Sequence, residues 1–460
     1  MLFNSAIFLG VFLPLCLVCF YLVADHKIRR EWVLIAASFV FYGYWDVRLL
    51  PLLVGSIVVN WLLVQWSDRI SRKWHLYMGV GLNLALIGFF KYFNFFAANL
   101  TWLAGDDFQA WSIILPLGIS FFTFQQISYL VDCYRRQAPI YGFREYVLYI
   151  SFFPQLIAGP IVRHNQFIPE LALSPLREGV SERLSRGFCL LIIGLTKKLL
   201  IADEAARLVD PLFKVAETQF LSTLDAWIAA VAFAVQIYFD FSGYSDMAIG
   251  LALMFGISLP FNFNSPYRAH SIQDFWRRWH ITLSSFLRDY VYIPLGGSRH
   301  GLMNKLVNLM ATMLLAGLWH GANWTFVIWG GLHGLALSVH AVWKEMKFSL
   351  PLLVGQFLTF LFVVGTWPLF RAQTFEQGGG IVQSLLFLNP ASATIKDYAI
   401  SPWLLLIGLA VSMIGPTSQE VALKKDYARP MFAAAMAGML VFLFFYSNTQ
   451  QLEDFIYFQF

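Results

Sequence analysis

The sequence predicts an all-α, polytopic membrane protein, because its composition, the length of its apolar runs and their periodicity all indicate this fold class. Of the 460 residues, 58% are hydrophobic and only 13% are charged, whereas about 25% of the residues in a soluble domain are charged. Apolar runs of membrane-spanning length recur along the whole chain, and they lack the two-residue alternation of outer-membrane strands. We therefore expect about 10 to 12 hydrophobic elements.

The charged segments between the first runs predict how the chain is oriented in the bilayer. The first run, residues 3–24, has no basic residue before it and no small-residue cleavage site, which is typical of a retained helix. Basic residues at 26–30, 68–73 and 135–136 favour the cytoplasmic side, whereas the acidic turn at 105–107 favours the opposite side. These assignments place the N-terminus outside the cytoplasm.

The pattern becomes irregular at residues 152–160. Pro154, Gly159 and Pro160 exclude a regular helix there. We predict a broken or re-entrant segment, which a bilayer tolerates only where the backbone is buried in protein or lines a water-filled cavity. Further apolar runs follow at residues 187–200, 227–257, 306–319, 322–343, 350–369, 402–414 and 431–446. Because no internal repeat is visible, we predict one integral-membrane domain over residues 1–460.

A charge-free stretch, residues 306–343, carries the first candidate site. It lacks Asp, Glu, Lys and Arg over 38 residues, yet it holds three of the nine histidines, His320, His333 and His340. A titratable group at membrane depth is costly unless it faces a polar cavity or a partner, and an imidazole is suited to proton transfer near neutral pH. His320 is the candidate for chemistry. We expect His333 to hydrogen-bond a neighbouring helix and His340 to lie at the interface.

The most polar segment between the membrane runs, residues 268–305, holds a second histidine of interest. Six Lys or Arg residues against two acids predict a cytoplasmic location. At a spacing of four, Trp276 and His280 share one helix face, and so do Asp274 and Arg278. One interpretation is an amphipathic helix at the membrane interface. The other is a helix that presents His280 to a buried reaction centre.

The basic residues also bear on possible partners. The net charge of +5 is accounted for by cytoplasmic loops enriched in Lys and Arg, so we expect the lipid bilayer as a partner and no nucleic acid. Within the polar segment, Arg277 and Arg278 suit a phosphorylated donor, because a guanidinium group pairs bidentately with phosphate.

Two carboxylates, Asp240 and Asp246, interrupt the apolar run at residues 227–257. Acids at such depth need partners. They line the wall of a site, form a structural ion pair, or lie in a ten-residue turn outside the bilayer, and the sequence leaves these alternatives open. No His or Cys set has the spacing of metal ligands, so we expect no metal.

Two motifs some forty residues apart carry a family resemblance. Residues 275–284 read Phe-Trp-Arg-Arg-Trp-His-Ile-Thr-Leu-Ser, and residues 318–322 read Leu-Trp-His-Gly-Ala. They resemble the membrane-bound O-acyltransferase family, in particular the bacterial branch that acetylates alginate and related exopolysaccharides. The resemblance covers most of residues 1–345, the shared core, whereas residues 350–460 match only as hydrophobic helices. Supporting matches lie at residues 153–160, 194–203, 240–246 and 292–297.

The resemblance implies a fold and a catalytic pair. The hydrophobic elements would surround a transmembrane tunnel and include re-entrant segments. His320 would be the catalytic residue, and His280 would lie in the same site. Residues with substrate-binding or supporting roles are predicted around this pair, namely Trp276, Arg277, Arg278, Asp240, Asp246, Trp319 and Asn323.

The resemblance also implies substrates, partners and a location. The protein would take an acetyl group from cytoplasmic acetyl-CoA, with no permanently bound cofactor, and move it across the bacterial inner membrane. The acceptor would be an extracytoplasmic polysaccharide, with an alginate-like exopolysaccharide favoured and cellulose or peptidoglycan as alternatives. It would be reached directly or through a soluble or membrane-anchored O-acetyltransferase partner. The N-terminus would then be periplasmic.

The residues themselves are compatible with acyl transfer. A thioester carbonyl needs a base that deprotonates the acceptor hydroxyl or a nucleophile that takes the acyl group. His320 fits either role, general base or acyl carrier, and Asn323 is predicted to polarise the carbonyl. The alternative function is a proton-coupled transporter or polymer-export channel, in which the intramembrane His and Asp residues form a proton relay.

Overall fold

The protein is helical throughout the part of the chain that the structure describes. The computed structural model describes residues 1–66, 72–106, 108–389, 403–423, 430–449 and 455–456. Within these ranges there is no β-strand, which confirms the predicted all-α class. The first helices are α1 Leu13–Leu22, α2 Lys27–Gly43, α3 Leu50–Gln65, α4 Arg72–Ile87, α5 Phe93–Ala104, α6 Ile119–Tyr134, α7 Phe143–Ser151, α8 Phe153–Leu156, α9 His164–Ala172 and α10 Val180–Thr196. They are followed by α11 Asp203–Val215, α12 Thr223–Met254, α13 Ile272–Arg278, α14 Ile281–Leu287, α15 Gly301–His320, α16 Trp324–Glu345, α17 Leu352–Arg371, α18 Phe375–Leu385, α19 Trp403–Ile414, α20 Ser418–Leu423 and α21 Pro430–Thr449.

Many of these helices have the composition of membrane spans. In the described ranges, six helical stretches are long and apolar enough to cross a bilayer: Val47–Gln65, Lys73–Ala104, Thr223–Met254, Gly301–His320, Trp324–Glu345 and Leu352–Arg371. Shorter apolar helices lie at Phe8–Leu22, Leu405–Ile414 and Ala434–Ser447. The runs predicted in α2, α6 and α10 form helices of 17, 16 and 17 residues. The protein is therefore a multi-pass membrane protein, as predicted.

The chain divides into two compact units. The first consists of Met1–Leu195, Tyr244–Phe261 and Ala422–Glu453, and the second of Thr196–Gly243, Asn262–Val421 and Asp454–Phe460. Of the predicted site residues, only Asp246 belongs to the first unit. The second unit therefore holds both candidate histidines.

The predicted interruption at residues 152–160 is present in the first unit and is buried. Helix α7 ends at Ser151, and α8 is a single turn with Pro154 in its first positions. Every residue from 151 to 160 is buried, and the amide of Phe153 donates to Ser38 Oγ at 3.0 Å. The broken backbone is thus enclosed by protein, which is the condition under which a bilayer tolerates it.

In the second unit, α15 and α16 form a tight antiparallel hairpin. A Cβ atom on Gly317 would lie less than 3.0 Å from the carbonyl oxygen of Phe326, and one on Gly330 would lie equally close to that of Met313. Small residues at a helix contact let two backbones approach closely. Because His320 ends α15, this contact also fixes its distance from the side chains of α16.

Replacing Gly330 with alanine is expected to destabilise this hairpin. The new methyl group would meet backbone atoms, which cannot move aside as a side chain can, and overpacking of this kind costs about 1–3 kcal/mol. A lower melting temperature of the detergent-solubilised protein would report it. Gly331→Ala is the matched control, since its Cβ would meet only the Leu314 side chain at 3.4 Å. Equal melting temperatures for the two variants would contradict the prediction.

Candidate active site

The structure brings His320 and His280 together, although forty residues separate them in the chain. His320 is the last residue of α15, and His280 lies between α13 and α14. The prediction that His280 shares a helix face with Trp276 is wrong, because α13 ends at Arg278 and the backbone is extended at Trp279. Their ring centroids are 6.5 Å apart, and the two residues are 3% and 0% exposed. A small substrate group between the rings would therefore contact both imidazoles.

The backbone at His280 has an uncommon conformation. Its φ angle is +40°, in the left-handed region that non-glycine residues seldom adopt. Asn262 holds the following turn, because its carbonyl oxygen accepts from the amide of Ile281 at 2.9 Å and its side-chain Oδ1 accepts from Thr282 Oγ1 at 3.0 Å. Backbone strain of this kind clusters at functional sites, and here it directs the His280 side chain.

The environment of His280 favours the neutral form of its imidazole. Burial lowers the pKa of its imidazole to about 3, because an apolar environment disfavours the charged form. The ring of Phe241 packs against it edge-on at 4.7 Å between centroids, and the ring of Trp319 lies at 5.9 Å. A neutral imidazole can orient a hydroxyl or share its proton.

His320 lies among aromatic rings. Its centroid is 4.9 Å from that of Trp319, 5.4 Å from that of Trp329 and 5.0 Å from that of Phe370. Such walls exclude water, which protects a reactive acyl group from hydrolysis and strengthens electrostatic interactions inside the site. Of the three aromatic neighbours, Trp319 was predicted from the sequence.

His333 has a structural hydrogen-bonding role, as predicted. Trp276 Nε1 donates to its Nδ1 at 3.3 Å, so the neutral ring carries its proton on Nε2. Nε2 then donates to Thr366 Oγ1 of α17 at 3.1 Å, and Thr366 donates to the carbonyl of Val363. His333 therefore ties Trp276 to α17 with both ring nitrogens engaged.

A cavity of about 510 Å³ lies among residues of α13, α14, α15 and α16. Trp276 and Arg277 line it, and so does His340, which was expected at the interface. No carboxylate from the described ranges lines the cavity. Its polar lining residues, which are mostly cations and hydroxyl groups, are Gln273, Arg277, Ser284, Ser285, Arg288, Tyr292, Ser298, Lys305, His340 and Lys344.

Two of the four long cations in this cavity are available for a ligand. Arg288 pairs with Asp289 at 2.6 Å, and Lys305 pairs with Glu345 at 3.6 Å. Arg277 and Lys344 form no ion pair with any described residue, and both are exposed. An anion in the cavity would therefore meet the uncompensated positive charges of Arg277 and Lys344.

Arg278 has a different position from its neighbour Arg277. Its Nε donates to Asp274 Oδ2 at 3.0 Å, which confirms that the two residues share a helix face. It does not line the cavity. The structure thus separates the two arginines that were predicted together.

Asp240 forms a buried ion pair in the second unit. Lys198 Nζ lies 2.7 Å from Asp240 Oδ1 and 2.8 Å from Asp203 Oδ1, and the amide of Ile456 donates to Asp240 Oδ2 at 2.8 Å. Helix α12 continues through both aspartates, so the alternative of a turn outside the bilayer is wrong. Asp246, also buried, belongs to the first unit.

Asn323 caps the N-terminus of α16. Its Oδ1 accepts from the amide of Thr325 at 3.1 Å, and its Nδ2 donates to the carbonyl of Gln373 at 2.7 Å. Both ends of the amide thus have a partner in the fold, which gives Asn323 a structural role at the turn after His320.

Most residues of the cavity were not predicted from the sequence. Lys305 and Lys344 stand at the two ends of the charge-free stretch, and the short turn at Gly321–Asn323 makes the two helices antiparallel. An antiparallel hairpin with a short turn brings its far ends together. This signal was present in the sequence, whereas Trp329 carried no motif that pointed to the site.

Comparisons with known proteins identify the family. The model of the membrane-bound O-acyltransferase family matches residues 39–367, a range that includes both histidines and all the residues that line the cavity. The chain belongs to the membrane-bound O-acyltransferase family. The resemblance stated from the motifs is therefore confirmed, and the protein is an O-acyltransferase rather than a transporter.

Several relatives within this O-acyltransferase family are similar over most of their length. A peptidoglycan O-acetyltransferase of Helicobacter pylori is 41% identical over 428 residues, which cover 85% of this chain and 81% of that protein. A probable alginate O-acetylase of Pseudomonas putida is 36% identical over the full length of both chains. A teichoic acid D-alanyltransferase of Streptococcus thermophilus is 27% identical over 51% of this chain and 59% of its own.

Proposed function

We propose that this O-acyltransferase takes an acetyl group from cytoplasmic acetyl-CoA and delivers it to a hydroxyl group of an extracytoplasmic polysaccharide, with His320 at the reaction centre. The observation that carries the proposal is the position of the cation-lined cavity. Trp276 lines that cavity, its ring lies 5.9 Å from Trp329, and Trp329 lies 5.4 Å from His320. Two aromatic rings thus separate the cavity from the imidazole.

The charge and volume of the cavity suit the head of coenzyme A. Pockets for small molecules and cofactors span about 300–1,000 Å³, and this one is about 510 Å³. Coenzyme A carries a diphosphate and a further phosphate, and Arg and Lys are the residues that bind such groups. Arg277 and Lys344, without ion-pair partners in the described structure, would meet the phosphates. The pantetheine arm would carry the thioester towards His320.

His320 would serve this reaction in one of two ways. As a general base it would take the proton of the acceptor hydroxyl, whose oxygen attacks the thioester carbonyl, and return that proton to the departing thiolate. As a nucleophile it would take the acetyl group, release the thiol and pass the group on. Neutral His280, 6.5 Å away, would orient the acceptor hydroxyl in either case.

The names of the relatives support the proposed acceptor. Relatives that acetylate peptidoglycan or are named alginate O-acetylases match most of this chain, and an alginate-like exopolysaccharide or another glycan is the proposed acceptor. An extracytoplasmic O-acetyltransferase would complete the transfer where the glycan does not reach the membrane. The protein would lie in the bacterial inner membrane with its N-terminus in the periplasm.

Removing the two available cations tests the donor site. In the Arg277→Ala, Lys344→Ala double variant we expect the KM for acetyl-CoA to rise about 100-fold or more, because charge-assisted phosphate contacts contribute about 1.5–3 kcal/mol each when well formed. The kcat should change little, since neither residue approaches the acyl group. Steady-state transfer of radiolabelled acetyl groups by the purified protein measures both constants.

Lys214→Ala is the control for this experiment, because Lys214 is an exposed lysine of the same unit outside the cavity. Removal of the 3′-phosphate from acetyl-CoA should weaken binding to the wild-type protein and have a smaller effect on the double variant. An unchanged KM in the double variant would refute the proposed donor site.

A further inference from the structure

Trp329 presents a buried hydrogen-bond donor beside His320. The residue is 0% exposed, and its indole Nε1 has no hydrogen-bond partner among the described residues. Its ring stands nearly perpendicular to that of His320, at an interplanar angle of 87° and a centroid distance of 5.4 Å. A buried N–H group without a partner is rare in native proteins and calls for an explanation.

Among the described residues, five rings pack against Trp329, and only the two histidines among them carry a hydrogen-bond acceptor. Trp276 and Trp367 are indoles, which only donate, and Phe370 has no polar atom. His333 is the nearest ring, at 4.6 Å, but its Nδ1 accepts from Trp276 and its Nε2 donates to Thr366. His320 is the remaining neighbour with an acceptor nitrogen, and no hydrogen bond joins it to the Trp329 N–H in the described structure, so this N–H is available to a substrate group beside His320.

We propose that the Trp329 N–H donates a hydrogen bond to the carbonyl oxygen of the acyl thioester and stabilises the oxyanion that forms there. The inference rests on the proposed function. As a nucleophile His320 contacts the reacting carbonyl, and as a base it contacts the hydroxyl that attacks this carbonyl. In either role the carbonyl lies close to the imidazole and to the indole packed against it. A donor placed where negative charge develops stabilises the transition state, and a water-excluded site strengthens its effect.

The reaction step can be written with Trp329 in this role. The acceptor oxygen, or His320 nitrogen, attacks the carbonyl carbon, and the π electrons of the C=O bond move onto the oxygen that Trp329 binds. When the tetrahedral intermediate collapses, the C=O bond re-forms and the C–S bond breaks, and the thiolate leaves with a proton that the imidazole supplies. Trp329 itself neither gains nor loses an atom.

The rigidity of α16 supports the assignment. Trp329 directly precedes Gly330, whose contact with the backbone of Met313 fixes the separation of α15 and α16. The rings of Trp276 and Trp367 also pack against the indole, at 5.9 and 5.8 Å. The donor is thus held in place before the substrate arrives, which is what makes such a group effective.

Two substitutions at this position separate the N–H group from the ring. Trp329→Phe removes the donor, and replacement by 3-benzothienylalanine keeps the shape of the indole with sulfur in place of N–H. For both we expect kcat for acetyl transfer to fall about 100-fold, with the KM for acetyl-CoA changed less than about threefold, as when an oxyanion donor is lost. Trp343→Phe, an exposed position on the same helix, is the control and should retain wild-type kcat.

A spectroscopic readout excludes a merely structural role. With a non-cleavable ketone analogue of acetyl-CoA labelled with ¹³C at the carbonyl, the infrared C=O stretch should move to lower frequency on binding to the wild-type protein. It should return towards the solution value in Trp329→Phe. An unchanged kcat in both variants, or the same stretch in the variant and the wild type, would overturn the assignment to Trp329. A wild-type protein that does not use acetyl-CoA would instead overturn the proposed function and this inference with it.

Discussion

Replacement of His320 by alanine is expected to abolish acetylation of the extracytoplasmic polymer while the protein remains in the membrane at normal levels. His320 supplies the base or the nucleophile in both mechanisms, and the buried rings around it, Trp319, Trp329 and Phe370, offer no group that replaces it. Loss of general base catalysis alone costs about 10²–10⁴-fold, and loss of a nucleophile costs more. The O-acetyl content of the polymer and the amount of protein in the membrane fraction are the two measurements.

His26→Ala is the control for His320→Ala, because His26 is an exposed histidine at the start of α2. It should acetylate the polymer as the wild type does. Near-wild-type acetylation by His320→Ala would refute the assignment of His320. In the wild type, incubation with radiolabelled acetyl-CoA and no acceptor distinguishes the two roles, since an acyl carrier retains label on the protein and a general base does not.

Replacement of Lys198 by methionine is expected to produce the largest loss of stability. The Nζ atom of Lys198 lies within 2.8 Å of carboxylate oxygens of both Asp203 and Asp240, and the lysine is 1% exposed. Without it, the buried Asp240 loses its compensating charge. Breaking a buried pair from one side costs about 3–5 kcal/mol, because the remaining charge is desolvated and unpaired. A thermal unfolding scan of the solubilised protein measures the effect.

The adjacent lysine provides a matched control. Lys197 donates to Ser418 Oγ at 2.7 Å, so Lys197→Met removes a bond to a neutral acceptor. Its melting temperature should fall less than that of Lys198→Met. Adding Asp240→Asn to Lys198→Met should recover part of the loss, because the asparagine oxygen still accepts from the amide of Ile456. Equal losses for the two lysine variants would show that the ion pair does not stabilise the fold.

The sequence predicts the fold class and the two histidines for reasons that the structure makes plain. The length of the apolar runs is enough to predict the membrane helices. The prolines and the glycine of residues 152–160 predict the interruption there. His320 is conspicuous because nothing around it is charged. His280 was identified through its motif, but the helical spacing assigned to that motif was wrong, because α13 ends at Arg278. The distance between their rings was not predictable, since it depends on how α13, α14 and α15 pack.

The rest of the site required three-dimensional packing. Asp240 forms its ion pair with Lys198, which is 42 residues earlier in the chain. No local sequence pattern relates the two residues. In the sequence Trp329 resembles any other aromatic residue of a membrane helix. Only the packed structure shows that its buried N–H has no hydrogen-bond partner among the described residues. Arg277 and Arg278 are adjacent and chemically identical, yet only the former lines the cavity.

A cryo-electron-microscopy structure of the full-length protein with a non-cleavable ketone analogue of acetyl-CoA tests the central claim most directly. The proposed function predicts phosphate density beside Arg277 and Lys344 and the acyl carbonyl between His320 and Trp329. Density for the analogue at any other place, with the cation-lined cavity empty, would contradict it.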